Sequence, residues 1–156
     1  MKKTIKRIFI VGFILFLLIQ LYQPARNEYY GRVLPIDFTE VYKVPKNVET
    51  ILRTSCYDCH SNNTNYPLYC YVQPIGFFME KHIKEGKENL NFSEWGNYSS
   101  RKQSNKLDRI AKQIKSDEMP LVSYTLIHKN AILSSSQKQE VINWIQKTAD
   151  SLSIEN

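Results

Sequence analysis

Five consecutive residues, Cys56-Tyr57-Asp58-Cys59-His60, constrain this chain more than any other feature. Two thiols three positions apart on one turn can each bond a vinyl carbon of the same haem, and the residue after them then lies beneath the iron. C-x-x-C-H is therefore the spacing of c-type haem attachment. Read this way, Cys56 and Cys59 are thioether anchors, and His60 is the proximal iron ligand through a ring nitrogen. C-x-x-C by itself also serves thiol–disulfide exchange and zinc binding. A thioredoxin-like site needs a βαβ context that the sequence does not show, and structural zinc needs a second Cys/His pair at matching spacing, which it lacks. One motif implies one covalently attached haem and its iron.

The motif sits in a longer pattern. Asp58, Ser61, Asn62, Thr64, Tyr66 and Pro67 surround it, within CYDCHSNNTNYPLY at 56–69. Gln73-Pro74, Asn91-Phe92-Ser93-Glu94-Trp95, Glu118-Met119-Pro120-Leu121, Tyr124 and His128 follow in order. In this order the residues resemble the haem-binding domain family of small bacterial c-type cytochromes, over about residues 44–150. Leu68 stands where that pattern has Trp, and Cys70 where it has no thiol.

The resemblance implies an all-α, class I cytochrome c-like domain with loops closing over the haem edge. Its first and last helices would pack across each other, bringing Ile51 and Leu52 against Trp144 and Ile145. It also implies an electron carrier rather than an enzyme, cycling iron between ferric and ferrous without making or breaking a substrate bond. The rival is a haem-based sensor or weak peroxidase with an exchangeable sixth ligand. Opposite His60 the candidates are Met119, His82 and His128. The resemblance puts the distal methionine in a Met-Pro setting such as Met119-Pro120, and Pro120 restricts Met119 to extended geometry. A Met/His pair would raise the reduction potential relative to two histidines.

The formal charge of +6 suggests nucleic acid until its location is considered. Lys2, Lys3, Lys6 and Arg7 precede an uncharged stretch, and from Gln23 onward 17 Lys and Arg face 15 Asp and Glu. Two haem propionates would bring that remainder near zero. No basic stripe with interleaved aromatics survives, so no nucleic-acid partner is expected. The odd cysteine, Cys70, reads as a buried small hydrophobe, with pairing between molecules as the alternative.

Residues 1–22 have the charge order of a signal peptide, a basic end followed by an apolar run from Ile8 to Tyr22, but no small-residue cleavage site follows. As a helix, that run reaches about 22 Å against a hydrocarbon core of ~30 Å. Snorkelling of Lys6 and Arg7 and an interfacial Tyr22 could close the difference. The expectation is a retained N-terminal transmembrane helix holding the chain in the inner membrane, with the haem domain on the periplasmic side.

Residues 23–45, punctuated by Pro24, Pro35 and Pro45, read as an extended lead-in, and 46–156 as the monohaem domain. A helix over about 46–55 carries Val48, Ile51 and Leu52 on one side and delivers the haem turn. Ser61–Tyr71 reads as loop. After Pro74 the apolar positions Ile75, Phe78, Met79, His82 and Ile83 predict an inner stripe, with Gly86 just past the helix end. A helix over about 100–115 shows Leu107, Ile110, Ala111 and Ile114 inward, with Ser100 and Gln103 as a capping box. On its other face Lys102, Lys106, Arg109 and Lys112 form a docking surface for an acidic redox partner, or an ordinary solvated face. The last helix starts after Ser136 with Gln139 in a capping box, and carries Val141, Trp144, Ile145, Thr148 and Leu152.

Overall fold

The computed structural model describes residues 1–154, and every regular element among them is helical. In chain order these are α1 (Lys2–Ile19), α2 (Phe38–Val41), α3 (Lys46–Ser55), α4 (Tyr57–His60), α5 (Ile75–Asn89), α6 (Ser100–Lys115), α7 (Val122–Thr125) and α8 (Ser135–Ile154). Single 3-10 turns at Leu68–Tyr71, Phe92–Asn97 and Lys129–Ala131 shape the connections.

The core lies where α3, α6 and α8 meet. α6 and α3 both pack on α8. Val48, Ile51 and Leu52 of α3, Leu107, Ala111 and Ile114 of α6, and Val141, Ile142, Ile145 and Ala149 of α8 form one buried cluster, with Trp144 and Leu152 packed against it. The inner faces of these three helices are therefore those the 3.6-residue period picks out. Burying side chains of this size removes roughly 1.5–3 kcal/mol each of apolar exposure, which makes this junction the main source of cohesion.

Phe38 gives that core a second centre. It is 0% exposed and lies 4.7 Å from the Trp95 ring, 5.0 Å from Phe92, 5.3 Å from Tyr42 and 5.7 Å from Trp144, mostly in edge-to-face contacts. It begins α2, which Asp37 caps by accepting from the Thr39 amide at 3.0 Å. The lead-in is thus extended only up to Pro35. Its end is built into the core, because one aromatic ring on a capped turn closes the gap between the Trp95 segment and α8.

Three helices depart from their sequence reading. α5 continues past Gly86 to Asn89, and its buried side is Gly76 and Ile83, with Met79 and Gly86 half-buried between them. Ile75 and Phe78 are exposed, as is His82. α8 starts one turn edge earlier than expected: the Ser134 hydroxyl accepts from the Gln137 amide at 3.2 Å, and the Gln137 side chain accepts from the Ser134 amide at 2.9 Å. This is the capping box, placed two residues before the predicted Ser136/Gln139 pair. At α6 the cap residue is Ser99, and Gln103 instead donates to the Trp95 and Tyr98 carbonyls.

The N-terminal transmembrane helix is not supported. No helix among the described residues is long and apolar enough to cross a membrane. α1 ends at Ile19 and spends its first turns on Lys2, Lys3, Lys6 and Arg7, so its apolar part, Ile8 to Ile19, extends only about 18 Å. That is well short of the ~30 Å hydrocarbon core. The inner-membrane, single-pass placement with a periplasmic haem domain falls with it. α1 meets the rest of the molecule at its end, where the Gln20 side chain accepts from the Gln73 amide at 2.9 Å and donates to its carbonyl at 3.2 Å.

Candidate functional site

α3 ends at Ser55, and after one irregular residue, Cys56, the chain turns into α4, so the cysteines and His60 share a single turn packed on α5. The approach is close because α5 presents no side chain there. A Cβ on Gly86 would lie 2.7 Å from the Cys59 carbonyl oxygen. The same closeness brings two helix-end carbonyls to the His60 ring: Nδ1 lies 3.0 Å from the Gly86 oxygen and 3.1 Å from the Leu90 oxygen. Carbonyls only accept, so Nδ1 carries the proton and Nε2 keeps the lone pair that a metal needs. Burial pushes the His60 pKa down, against the pull of the two carbonyl bonds and with help from nearby Lys106, which favours the neutral ring.

A cavity of about 520 Å³ lies against this turn, lined by Cys56, Cys59 and His60. Its volume is in the range of cofactor sites, about 300–1,000 Å³. Leu90, Phe92, Ile110, Ile114 and Leu121 give it apolar walls, while Lys106, Arg109 and Gln113 of α6 bring polar groups to one side. Both thiols are half-buried and held protonated: burial, then the neighbouring Cys59, pushes Cys56 up to about 12, and burial, then Asp58, pushes Cys59 up to about 11.

Met119 and Pro120 line the same cavity. What carries Met119 there is the end of α6. Asp117 adopts a left-handed φ of 60°, its amide bonds back to the Ile114 carbonyl at 3.3 Å, and the Glu118 amide bonds to the Gln113 carbonyl at 3.0 Å. These are the paired bonds of a Schellman ending. The Met119 amide adds a third, to the same Gln113 oxygen at 3.2 Å. His82 lines the cavity from an exposed position, its Nδ1 2.8 Å from the Phe78 carbonyl one turn back. His128 does not line it. Instead its Nε2 shares a hydrogen bond with the Tyr69 hydroxyl at 2.5 Å, and the ring stacks on Tyr124, centroids 4.1 Å apart.

The residues around the motif fix its loop. Thr64 Oγ1 donates to the Asp58 carbonyl at 2.5 Å, the Asn65 amide donates to Asp58 Oδ1 at 3.1 Å, and Tyr124, on the cavity wall, donates to Asp58 Oδ2 at 2.7 Å. Asn62 and Asn91 join the loop to the Phe92 turn through a 2.8 Å amide–amide bond. Asn27, in the lead-in, donates to the Ser61 carbonyl and to Thr64 Oγ1. Sequence reasoning missed Asn27 and the roles of Gly86 and Gln113. Only the placement of Asn27 opposite the loop reveals it, whereas a glycine inside a helical pattern was a usable sign of close packing. Cys70 is buried, 2% exposed, and its thiol pKa is raised by burial.

The fold and site define an all-helical domain with a cofactor-sized cavity at a C-x-x-C-H turn. The match of the haem-binding domain family to residues 14–147 identifies the group, and the chain belongs to that family. No curated protein matches the chain. No solved structure matches it either.

Proposed function

We propose that the chain is a monohaem c-type cytochrome that carries single electrons between redox partners. The observation that carries this reading is the His60 ring at the cavity beside both cysteines, its Nδ1 proton directed at two carbonyls and its other nitrogen left with a lone pair. The residues present fit a haem: two thiols for thioethers, a neutral imidazole, apolar walls and enough volume. Cys56 and Cys59 would hold the porphyrin, and His60 and Met119 the iron. When bound, the haem supplies a one-electron couple. The chain's own part is to keep His60 neutral and oriented, to hold Met119 by the α6 ending, and to shield both from water. Thiol exchange is disfavoured, since reactive cysteines have lowered pKa values and these are raised. Zinc finds no support, because no group of three or more His, Cys, Asp or Glu among the described residues is arranged to hold a metal ion. Lys102, Lys106, Arg109 and Lys112 along α6 suit an acidic redox partner, whose approach complementary charge would speed.

The test is an absorption spectrum of the purified protein, oxidised and reduced, with and without carbon monoxide, preceded by acid–organic extraction. Colour that stays with the chain, and a reduced spectrum indifferent to carbon monoxide, are expected. Met119→Ala should remove the sulfur-to-iron band, lower the potential and admit carbon monoxide, while His82→Ala and His128→Ala should do none of these. Ready binding of carbon monoxide by the unaltered protein would assign it instead to sensors or peroxidases with an open sixth position.

A further inference from the structure

The cavity is electrostatically one-sided. Lys106 and Arg109, three residues apart on α6 and so on one helical face, both line it. Among the described residues neither has a carboxylate within ion-pairing distance. The one acidic side chain on the wall, Glu85, is engaged by Lys81 at 3.9 Å on the same helix. Lys106 is also held in place. Its ammonium donates to the Asn89 carbonyl at the end of α5 and lies 4.8 Å from the centre of the Tyr98 ring. Lys102, one turn earlier, lies over the same ring at 4.5 Å but outside the cavity, and Lys112 is exposed and outside it as well.

Two neighbouring cations without a counter-ion, on the polar side of a cavity whose other walls are apolar, suit a ligand that is flat and apolar over most of its area and carries carboxylates along one edge. The haem has that shape, with two propionates. We propose that Lys106 and Arg109 bind the haem propionates and fix which edge of the haem faces α6. This rests on the c-type reading. Burial, and then the charges of Lys102 and Arg109, push the Lys106 pKa down, so an anion at this wall would relieve a repulsion already built into the fold. The basic face of α6 is thereby divided: Lys106 and Arg109 turn to the cofactor, and Lys102 and Lys112 remain for a partner.

The experiment uses the full chain carrying its haem and reads the propionate bending bands by resonance Raman, together with the reduction potential. In Lys106→Gln and Arg109→Gln the bands should shift and the potential fall, because losing a cation beside the iron favours the ferric state. The double variant should shift further, and Lys106→Arg should restore both readings. Lys115→Gln, exposed at the end of α6 and outside the cavity, should match the unaltered protein. Should Lys106→Gln fail to fold for want of its bond to Asn89, Arg109→Gln, which removes no such bond, decides alone. Unmoved bands and potential in the double variant, or in Arg109→Gln alone, would overturn the assignment, even if the salt dependence of electron exchange changed. Haem that leaves the unaltered chain in organic solvent would overturn the c-type reading itself, a result distinct from an unresponsive propionate.

Discussion

Adding one methyl group at Gly86 tests whether the C-x-x-C-H turn is positioned by the absence of a side chain. The new Cβ would lie 2.7 Å from the Cys59 carbonyl oxygen, 3.4 Å from its carbon and 3.5 Å from Cys59 Cβ. That is about 0.6 Å inside the ~3.3 Å at which a carbon rests against a carbonyl oxygen. The obstacle is backbone and cannot rotate away, so α5 has to move off α4. Overpacking of this kind costs about 1–3 kcal/mol, against about 1 kcal/mol gained by replacing a helical glycine with alanine. The net is about 1 kcal/mol of destabilisation, or a Tm lower by roughly 2–4 °C in a chain of this size. Moving α5 also lengthens the His60 Nδ1 bond to the Gly86 oxygen, so in the haem-free chain the ring nitrogen NMR shifts of His60 should move toward a mixture of tautomers. Gly12→Ala is the matched control, because nothing lies within 4 Å of a Cβ there and only the helix preference acts. If Gly86→Ala melts at or above the unaltered protein with His60 shifts unchanged, the contact is slack and the positioning argument is wrong.

Three further outcomes are expected. Phe38→Ala, at a fully buried ring among four aromatics, should cost about 3–5 kcal/mol, read as a large fall in the urea midpoint. Tyr124→Phe removes the bond to Asp58 and should cost about 1.5–3 kcal/mol in thermal unfolding, as for a hydrogen bond to a charged group. In the haem-free protein the Cys56 and Cys59 pKa values are raised, so their contribution to stability is complete below the ordinary thiol value of 9.0 and is lost as pH climbs through about 11 and 12. Accordingly, both thiols should react with iodoacetamide more slowly in the folded chain than in urea at pH 9, and equal rates would contradict their burial.

What the sequence disclosed was what depends on near neighbours. The C-x-x-C-H turn is legible as a motif because its three residues stand at a fixed short spacing, and α3, α6 and α8 are legible because one periodic face of each is buried. α5 misled because size stood in for burial. Of the stripe Ile75, Phe78, Met79, His82 and Ile83, only Met79 and Ile83 lie on the packed face, which runs through Gly76, Met79, Ile83 and Gly86. A Cβ on Gly76 would run into the Cys70 carbonyl oxygen, as one on Gly86 would into that of Cys59 at 2.7 Å, so this helix is seated by two small residues. The α8 start was displaced for another reason: Ser134, Ser135 and Ser136 can each cap, and only the bonds made with Gln137 choose among them. Phe38 could not be found by period at all, since its partners come from Trp95, Phe92 and Trp144, far along the chain.

The two middle residues of C-x-x-C-H show most directly how a spacing motif becomes a placed site. Attachment chemistry asks nothing of Tyr57 and Asp58, which the pattern leaves open. In the fold Tyr57 is buried, stacked on Phe92 with centroids 4.9 Å apart, and its hydroxyl donates to Asp37 Oδ1 at 3.0 Å. Asp58 accepts from Tyr124 on the opposite side. One residue therefore ties the turn to the segment before α3, and the other ties it to the segment after Met119. Because the two thiols flank these anchors on a single turn, fixing Tyr57 and Asp58 also fixes the direction in which Cys56, Cys59 and His60 face. Asp58 carries a further consequence, because its partner Tyr124 belongs to the same short stretch as Met119. A single carboxylate thus couples the side of the cavity that holds His60 to the side that presents Met119, and the distance between the two proposed iron ligands is set in part by a bond that touches neither.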